Sequence, residues 1–545
     1  MSDTGAGQTN TLPGLLRRNA RTLAGQTAIR EKRHGIWQAM TWAEHCDATL
    51  ALARGLAVLG FGRGDRLAVL GDNRRVLYQA QLAAMALGGA VVPCWPDADA
   101  GWLVHVLADA GVSIVVAEDQ DQVEKLLEIK DRLPALRQIV FTDSRGVRHD
   151  DLTFIRSAAD TVAAGTGSAL DIDASIAAGT GNDVCLICYL TPDAGPPRAV
   201  PLTHAHLIGA ATALARTNDV RPGDEYFAYL PMAWVAEAVY GTALSLLVGF
   251  ACSCPEDPET ARRDLRELGP TILLAPPRIW QSLLSEIESK AAHATPMKRR
   301  ICAKFLPAAY SADAPARGGF LAEWLVAAPL RDQLGLGNLR WAHTGGLTMA
   351  PHVQAFFTAL GVNLGQEPAL GGHAGLAALV TDRPAPVSLA GGTETDARPI
   401  ESALCHNLYL ADAVVIGTPD GQPGAQLGAL IAIDAAAVAD WAQDHGLPFT
   451  TSADLMALAE VRDLVQAQVE QGNASLPAGQ RIARYRLLDT LPAASNAEAS
   501  LSRILQRRIA LESGAARAGD LFADPPGAGI EIVPAAASGL GERAA

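Results

Sequence analysis

The sequence predicts an α/β protein whose sheets are built largely from parallel strands. Short apolar runs typical of buried strands alternate with helix-like segments of greater length. RLAVLGDN is followed by the helical YQAQLAAMALGGA and then by VVPCW, and SIVVAED is followed by VEKLLEIKDRL and QIVFTD. Alternation of this kind places helices on the faces of a parallel sheet. Because 49% of the 545 residues are apolar, the chain can also bury a large core.

Composition divides the chain into three regions. At roughly 150 residues per domain, its length predicts three or four domain-sized units. We expect a large region of stacked α/β subdomains over residues 1–375 and a reduced α+β domain over residues 376–512. Residues 513–545 are rich in Gly, Ala and Pro and poor in large apolar residues, which predicts a disordered tail. The Ala-, Gly- and Asp-rich residues 157–181 are interpreted as a linker.

The overall charge argues against several classes of partner. With 44 Lys and Arg against 58 Asp and Glu, the net charge is −14, which opposes binding to nucleic acid and to anionic lipid. The N-terminus has no apolar signal segment, and the longest apolar stretch, residues 238–254, is short and interrupted by Gly and Ser. We therefore expect a cytoplasmic protein without a transmembrane segment.

Cysteine usage does not predict a metal or redox site. Cys185 and Cys188 have CxxC spacing, but they lie in the strand-like run DVCLICYL. Residues three apart in a strand face opposite sides of the sheet, so core packing is the favoured interpretation.

Several segments resemble one family in the same order along the chain. TLPGLLRRNA and ALARGLAVLGFGRGDRLAVLGDNRR are followed by YLPMAWVAEAVYG and by LRWAHTGGLTMAPHVQAFFTALGV. By these segments the chain is similar to the adenylate-forming (AMP-binding) superfamily and resembles its long-chain fatty acyl-CoA synthetases. The resemblance implies a large N-terminal domain, a smaller mobile C-terminal domain, and chemistry in which a carboxylate attacks ATP before CoA displaces AMP. Such chemistry requires phosphate clamping, a divalent metal and a positive side chain.

The phosphate-binding loop of that family has an altered counterpart here. The strand VCLICYL leads into TPDAGPPRAVPLTH, whose flanking residues fix the register. Pro192 has no N–H to offer to a phosphate, and Asp193 brings negative charge toward the place of the triphosphate. The segment is therefore either a weakened nucleotide loop or a surface loop on an inherited fold. By resemblance, the remnant nucleotide site comprises Thr191, Gly195, Arg198, Thr203, Gly345 and Gly346.

The motif that would drive adenylation is replaced. Where the family has a Thr and a metal-binding Glu, this chain has Gly371 and Gly372, and glycine has no side chain to ligate a metal. A shifted register would instead supply Glu367 as the metal ligand. Without that shift, the residues at the family's metal-binding positions leave no metal site.

Further losses lie toward the C-terminus. The family's ribose-binding Asp and its basic hinge have no counterparts in the short stretch between Gly375 and Pro399. The family's final Lys falls on Ile504, while Arg503 lies one residue away and would supply a cation only if the loop shifted. Absence of a segment is harder to compensate than substitution of a residue, so this gap is the strongest evidence that the nucleotide site is altered.

The segments that, by resemblance, lie beside the acyl site match the family pattern more fully than the phosphate-binding loop does. Trp234 stands where the family usually has His, and Glu237 is kept in YLPMAWVAE. Arg278 belongs to a matching PPRIW run. By resemblance these three residues are candidates for substrate binding, although apolar segments of this kind more often fill a core. A retained site for a fatty acyl ligand is the hypothesis that follows.

Three functions are compatible with these residues, and the pattern of losses favours the first. A degenerate synthetase homologue would be a non-catalytic binding or regulatory partner in acyl-CoA and fatty-acid metabolism, acting on an intact synthetase or a pathway enzyme. An active fatty acid–CoA ligase would use Arg198, Glu367 and Arg503 with ATP, Mg²⁺ and CoA. An acyl-pocket protein would carry out chemistry that does not need ATP.

Overall fold

The computed structural model describes most of the chain and divides it into two compact units. The described residues are 10–147, 154–190, 196–292, 323–345, 349, 351–366, 386–388, 394–405, 409–417, 426–488, 521–522 and 530–533. Those up to Gln366 belong to the first unit and those from Pro386 onward to the second. The predicted boundary at residue 375 lies outside the described residues.

Strands and helices alternate through the first unit, which confirms the predicted α/β class. The strands are β1 (Thr27–Arg33), β2 (Ile36–Thr41), β3 (Arg66–Leu70), β4 (Ala90–Cys94), β5 (Ile114–Ala117), β6 (Gln138–Phe141), β7 (Ile155–Ser157), β8 (Val184–Leu190), β9 (Arg198–Thr203), β10 (Glu225–Phe227), β11 (Ala251–Cys254), β12 (Ile272–Ala275), β13 (Trp341–Thr344) and β14 (Leu364–Gln366).

Fourteen α-helical segments are described in this unit, together with short helices of other types. The α-helices are α1 (Leu12–Thr22), α2 (Trp42–Val58), α3 (Arg75–Ala86), α4 (Ala100–Asp109), α5 (Gln120–Ile129), α6 (Ala158–Ala164), α7 (Ile172–Ala177), α8 (His204–Asn218), α9 (Val235–Glu237), α10 (Ser245–Val248), α11 (Ala261–Leu268), α12 (Pro277–Ala292), α13 (Ala328–Leu334) and α14 (Pro351–Ala359). Lys130–Arg132 and Pro258–Thr260 form 3₁₀ turns, and Ala238–Leu244 and Glu323–Ala327 are π-helical.

The described strands of the first unit form two sheets. The first sheet has the order β7-β6-β5-β3-β4-β8-β9, and the second has the order β14-β13-β12-β10-β11-β1-β2. Within each sheet the pairing is parallel, except that β8–β9 and β1–β2 are antiparallel. Both faces of such sheets are buried, which explains why the strand sequences are continuous apolar runs.

The two sheets share one hydrophobic core, and helix α3 lies inside it. The core cluster includes Leu67 and Val115 of the first sheet together with Tyr226 and Cys252 of the second. Every residue of α3 from Leu77 to Ala86 is buried, which is the pattern of a helix that packs on all sides. A second cluster, containing Leu273, Trp280 and Phe356, covers the other face of the second sheet.

The interpretation of residues 157–181 as a linker is wrong for much of that range. It contains α6 and α7, and α6 packs closely on α2. Small residues permit this approach: a Cβ added to Gly55 would lie 2.2 Å from the backbone oxygen of Thr161. The composition that resembles a linker is therefore also the composition that lets two helices pack backbone to backbone.

The second unit combines helices with a sheet of a different pattern. Its elements are β15 (Pro386–Ser388), β16 (Glu394–Asp396), α15 (Ala397–Leu404), β17 (Leu410–Gly417), β18 (Leu427–Ile433), α16 (Ala435–Asp444), α17 (Ser452–Ala457), α18 (Ala459–Ala474), a 3₁₀ turn at Ala478–Gln480, β19 (Ile482–Leu488) and β20 (Ile530–Ile532). The sheet order is β17-β18-β19-β20, with only β18–β19 parallel.

The C-terminal tail is partly ordered, contrary to the expectation of disorder from residue 513. Ile530–Ile532 pair with β19, and Val533 is buried. Leu521 is fully buried and lies against β18, where a Cβ added to Gly428 would come within 2.5 Å of it. A few apolar residues in a Gly- and Ala-rich segment are enough to complete a sheet edge.

The contact between α2 and α6 gives a test of the fold. Gly55→Ala should lower the free energy of unfolding by about 1–3 kcal/mol, because the new methyl group collides with backbone that cannot turn away. Gly209→Ala is the matched control in α8, where no heavy atom lies within 4 Å of the added Cβ. That change should stabilise the protein by about 0.5–1 kcal/mol. Equal effects of the two variants in chemical unfolding would contradict the described packing.

Candidate functional site

The stem of the altered phosphate loop is held by helix α4. β8 and β9 form an antiparallel hairpin in which Leu190 pairs with Arg198 across the loop. His105 Nε2 lies 2.9 Å from the carbonyl oxygen of Pro197. On the other side of the stem, the Tyr189 hydroxyl donates to Asp109 Oδ2 at 2.7 Å. Thr191 and Gly195 lie outside the described residues.

The structure does not bring Arg198 and Thr203 together. They are the first and last residues of β9, and the five steps between them span roughly 17 Å at about 3.3 Å per residue. Arg198 is exposed. Two residues at opposite ends of one strand cannot contact the same phosphate group.

Thr203 and the adjacent His204 have structural contacts of their own. The Thr203 hydroxyl accepts from the His206 backbone N–H at 3.2 Å and caps α8. His204 Nδ1 accepts from the Leu12 backbone N–H at 3.3 Å. Burial lowers the pKa of His204 to about 4, so its ring is neutral and able to accept. These contacts explain the Thr-His pair without a nucleotide.

The predicted nucleotide-site residues Gly345 and Gly346 follow the end of β13 in the sequence. Gly345 follows Thr344 directly, and the next residue, Gly346, lies outside the described residues. Thr344 is buried, and its hydroxyl has no hydrogen-bond partner among the described residues. The remaining predicted positions Glu367, Gly371, Gly372 and Ile504 also lie outside them, so their roles stay predictions.

The two central acyl-side candidates lie together in the shared core. Trp234 precedes α9 and Glu237 ends it, and both side chains are buried. Arg278 lies in α12, and its side chain is outside the described part of the structure. The prediction that these residues bind substrate remains a prediction.

Glu237 is enclosed by two tyrosines from different elements. Its Oε1 accepts from the Tyr78 hydroxyl of α3 at 2.5 Å, and its Oε2 accepts from the Tyr226 hydroxyl of β10 at 2.8 Å. The carboxyl is therefore hydrogen-bonded at both oxygens. Burial raises the pKa of Glu237 to about 7, and the two hydroxyl donors act in the opposite direction.

A second polar pair lies beside this carboxyl. The Tyr240 hydroxyl is 2.7 Å from His343 Nδ1, which belongs to β13. The Tyr240 and Tyr226 rings are 6.0 Å apart, and the Trp341 and His343 rings are 5.0 Å apart. Burial lowers the pKa of His343 to about 4. Sequence reasoning missed Tyr78, Tyr226, Tyr240 and His343. Tyr240 and His343 lie in segments that carry the family resemblance, but a segment match does not indicate which side chains contact each other.

The switch point of the first sheet is filled by an ion pair. β4, β3, β5, β6 and β7 follow the doubly wound order in which ligands bind between the carboxyl ends of the first and third strands, here β3 and β5. At that place Arg74 Nε contacts Glu118 Oε1 at 2.5 Å, and Glu118 Oε2 accepts from the Asp72 backbone N–H at 2.6 Å. The crevice is occupied by the chain's own charges.

Among the described residues, no group of three or more His, Cys, Asp or Glu side chains is placed to hold a metal ion. Cys185 and Cys188 are buried in β8, and burial raises the pKa of both thiols.

No described helix is long and apolar enough to cross a membrane.

The family follows from comparison with known sequences. The family model for AMP-binding enzymes matches residues 16–370, so this chain belongs to the AMP-binding enzyme family. The predicted resemblance is thereby confirmed.

The curated relatives are distant. A long-chain-fatty-acid–CoA ligase, ACSBG2 of Rattus norvegicus, is 24% identical over 375 residues, covering 65% of this chain and 56% of the relative. The long-chain-fatty-acid–CoA ligase heimdall of Drosophila melanogaster is 25% identical over 348 residues, with 61% and 51% covered. The chain thus spans about half the length of these relatives. A putative fatty-acid–CoA ligase, fadD11 of Mycobacterium tuberculosis, is 25% identical, with 67% and 78% covered.

Solved structures agree on the fold. The A-PCP didomain of a carboxylic acid reductase from Segniliparus rugosus, in complex with AMP, has a TM-score of 0.70 at 15% identity and covers 96% of this chain and 83% of its own. The anthranilate CoA ligase AuaEII, in complex with anthranoyl-AMP, has a TM-score of 0.63 at 15% identity, with 93% and 98% covered. At such identities the similarity shows the architecture alone.

The buried carboxyl predicts a specific dependence of stability on pH. Since the pKa of Glu237 rises from 4.5 in the unfolded chain to about 7 on folding, the folded state binds more protons between these values. Stability should therefore fall as pH increases through this window, by about 3 kcal/mol from this group. Wild type should lose stability relative to Glu237→Gln between pH 5 and 8 in urea unfolding.

Glu128→Gln is the control for that experiment. Glu128 is exposed on α5, so its removal should leave the pH profile of unfolding parallel to that of wild type. A Glu237→Gln profile that also stays parallel would show that the carboxyl is not held in the described environment.

Proposed function

We propose that this chain is an acyl-binding member of the AMP-binding family that has lost ATP-dependent adenylation and acts as a non-catalytic binding or regulatory partner in acyl-CoA and fatty-acid metabolism. The observation that carries the proposal is the position of the losses. They fall on residues that contact phosphate, metal and ribose in the family, while the scaffold around them is kept.

The residues present do not fit a metal-bound triphosphate. Pro192 removes a backbone donor, and Asp193 adds a negative charge near the place of the phosphates. Gly371 and Gly372 supply neither the hydroxyl nor the carboxylate that the family uses there. A triphosphate would meet fewer donors and more repulsion than in an intact loop.

The surviving nucleotide-side residues support the same proposal. Thr203 uses its hydroxyl to cap α8, and Arg198 lies at the other end of β9. A capping hydroxyl is retained for stability whether or not a nucleotide binds. The presence of Thr at this position therefore does not require a nucleotide ligand.

A separate set of observations supports an acyl ligand. The curated relatives are named as ligases of long-chain fatty acids, and the segment containing Trp234 and Glu237 keeps the pattern of that class. This segment lies in the shared core among aromatic side chains, where an acyl chain would be shielded from water. A fatty acid is therefore the ligand class that we assign to this side.

An active fatty acid–CoA ligase is the second candidate, favoured by the names of those relatives. It would need Arg198 at the phosphates, Glu367 at Mg²⁺ through the shifted register, and Arg503 in place of the final Lys. ATP and CoA would then be cosubstrates. The two candidates differ in whether ATP binds at all.

Titration with Mg·ATP separates the two candidates. A site with a dissociation constant of about 10 µM would stabilise the protein by about 2.7 kcal/mol at about 1 mM ATP, enough to raise the melting temperature by a few degrees. We expect no resolvable shift and no binding heat. We also expect no pyrophosphate release with ATP, Mg²⁺, CoA and a panel of fatty acids.

The Arg198→Ala variant tests whether any pyrophosphate release depends on the residue beside the loop, and Arg216→Ala is its control. Both arginines are exposed, but only Arg198 flanks the loop. Pyrophosphate release that depends on fatty acid, is lost in Arg198→Ala and persists in Arg216→Ala would overturn the proposal in favour of the active ligase.

A further inference from the structure

The helical segment that follows Trp234 changes its winding twice. It runs as α-helix over Val235–Glu237, as π-helix over Ala238–Leu244, and as α-helix again over Ser245–Val248. π-Helices are rare and occur often at functional sites. Seven consecutive π-helical residues in the middle of a buried helix therefore need a local cause.

The Glu237 side chain supplies one such cause. It lies across Gly241, where an added Cβ would stand 2.0 Å from Glu237 Oε1 and 3.2 Å from the Tyr78 hydroxyl. The glycine thus makes room for the carboxyl to reach Tyr78 and Tyr226. These two partners belong to α3 and β10, so the carboxyl fixes the start of the π-helix to two other elements.

The middle of the π-helix is fixed by a separate contact. Tyr240 is fully buried and hydrogen-bonds His343 of β13. Beside it, the buried Trp341 indole N–H has no hydrogen-bond acceptor among the described residues. A buried donor without an acceptor is unfavourable, and an oxygen of a bound ligand would satisfy it.

We propose that Glu237, Tyr78 and Tyr226 form a latch that holds Ala238–Leu244 in π-helical winding and so keeps Tyr240 on His343. When the latch opens, the segment rewinds toward α-helix, Tyr240 leaves His343, and the space beside β13 admits a carboxylic acid whose oxygen accepts from the Trp341 N–H. The latch is inferred from the contacts described above. The assignment of its ligand as a fatty acid rests on the proposed function.

Hydrogen exchange of the full-length protein tests the latch without any ligand. Tyr226→Phe removes one of the two donors to Glu237 and keeps the ring. Amides of residues 238–244 should then exchange about tenfold to a hundredfold faster, while α3 and the β-strands keep their rates. Tyr78→Phe, which removes the other hydroxyl, replaces this variant if it does not fold.

The matched control is Tyr189→Phe, which removes the hydroxyl of another buried tyrosine from a partly buried hydrogen bond of 2.7 Å outside the latch. It should leave exchange in residues 238–244 unchanged. Rates in that segment that match the control, or that rise equally in all elements, would overturn the latch.

A second arm adds hexadecanoate to wild type and to the latch variant. We expect binding to change exchange in residues 235–248 and to be tighter in Tyr226→Phe, because the variant no longer has to open the latch. Binding of equal strength to both proteins would contradict the gating role. Absence of binding to both would contradict the proposed acyl function, while the ligand-free arm would still decide on the latch.

Discussion

The interior shared by the two sheets of the first unit is the constraint on which its other features depend. Helix α3 lies in this interior with no face left for water. An unpaired polar group in such surroundings is costly, so a charged side chain that enters is stabilised by partners there. Tyr78, Tyr226 and Glu237 meet this requirement by pairing with one another. These three residues thus form one buried cluster that joins α3, β10 and the residue that precedes the π-helix.

The separation between scaffold and chemistry follows from where each set of residues lies. Residues that hold the scaffold are in strands, helices and caps, where a change costs stability whatever the protein does. By resemblance, Pro192 and Asp193 stand at positions of the family's phosphate-binding loop, and loop positions generally tolerate replacement without loss of core packing. A chain released from selection for adenylation would lose loop residues first. The proposed loss of adenylation would account for changes on the nucleotide side and fewer changes on the acyl side.

Sequence periodicity predicted the α/β class and the burial of β8, because both depend on local patterns of apolar residues. The family was predicted separately, from the resemblance of several segments in order along the chain. Periodicity could not predict the polar cluster, since Tyr78 and Glu237 are 159 positions apart and Tyr240 and His343 are 103 apart. Composition gave the wrong structure to much of residues 157–181, which were interpreted as a linker, and to Ile530–Ile532, which were expected to be disordered. Tertiary packing against Gly55 and pairing with β19 impose order there.

Under the proposed function, ligand recognition survives on the acyl side and is lost on the nucleotide side. Calorimetric titration with hexadecanoate and with its acyl-sulfamoyl adenosine analogue, which joins the acyl chain to an AMP mimic, tests it most directly. In an enzyme built to hold the adenylate, the analogue should bind about a hundredfold or more tightly than the free acid. For this chain we predict that the two dissociation constants agree within about threefold, because the adenosine part finds no intact site. A hundredfold preference for the analogue would contradict the proposed loss of the nucleotide site.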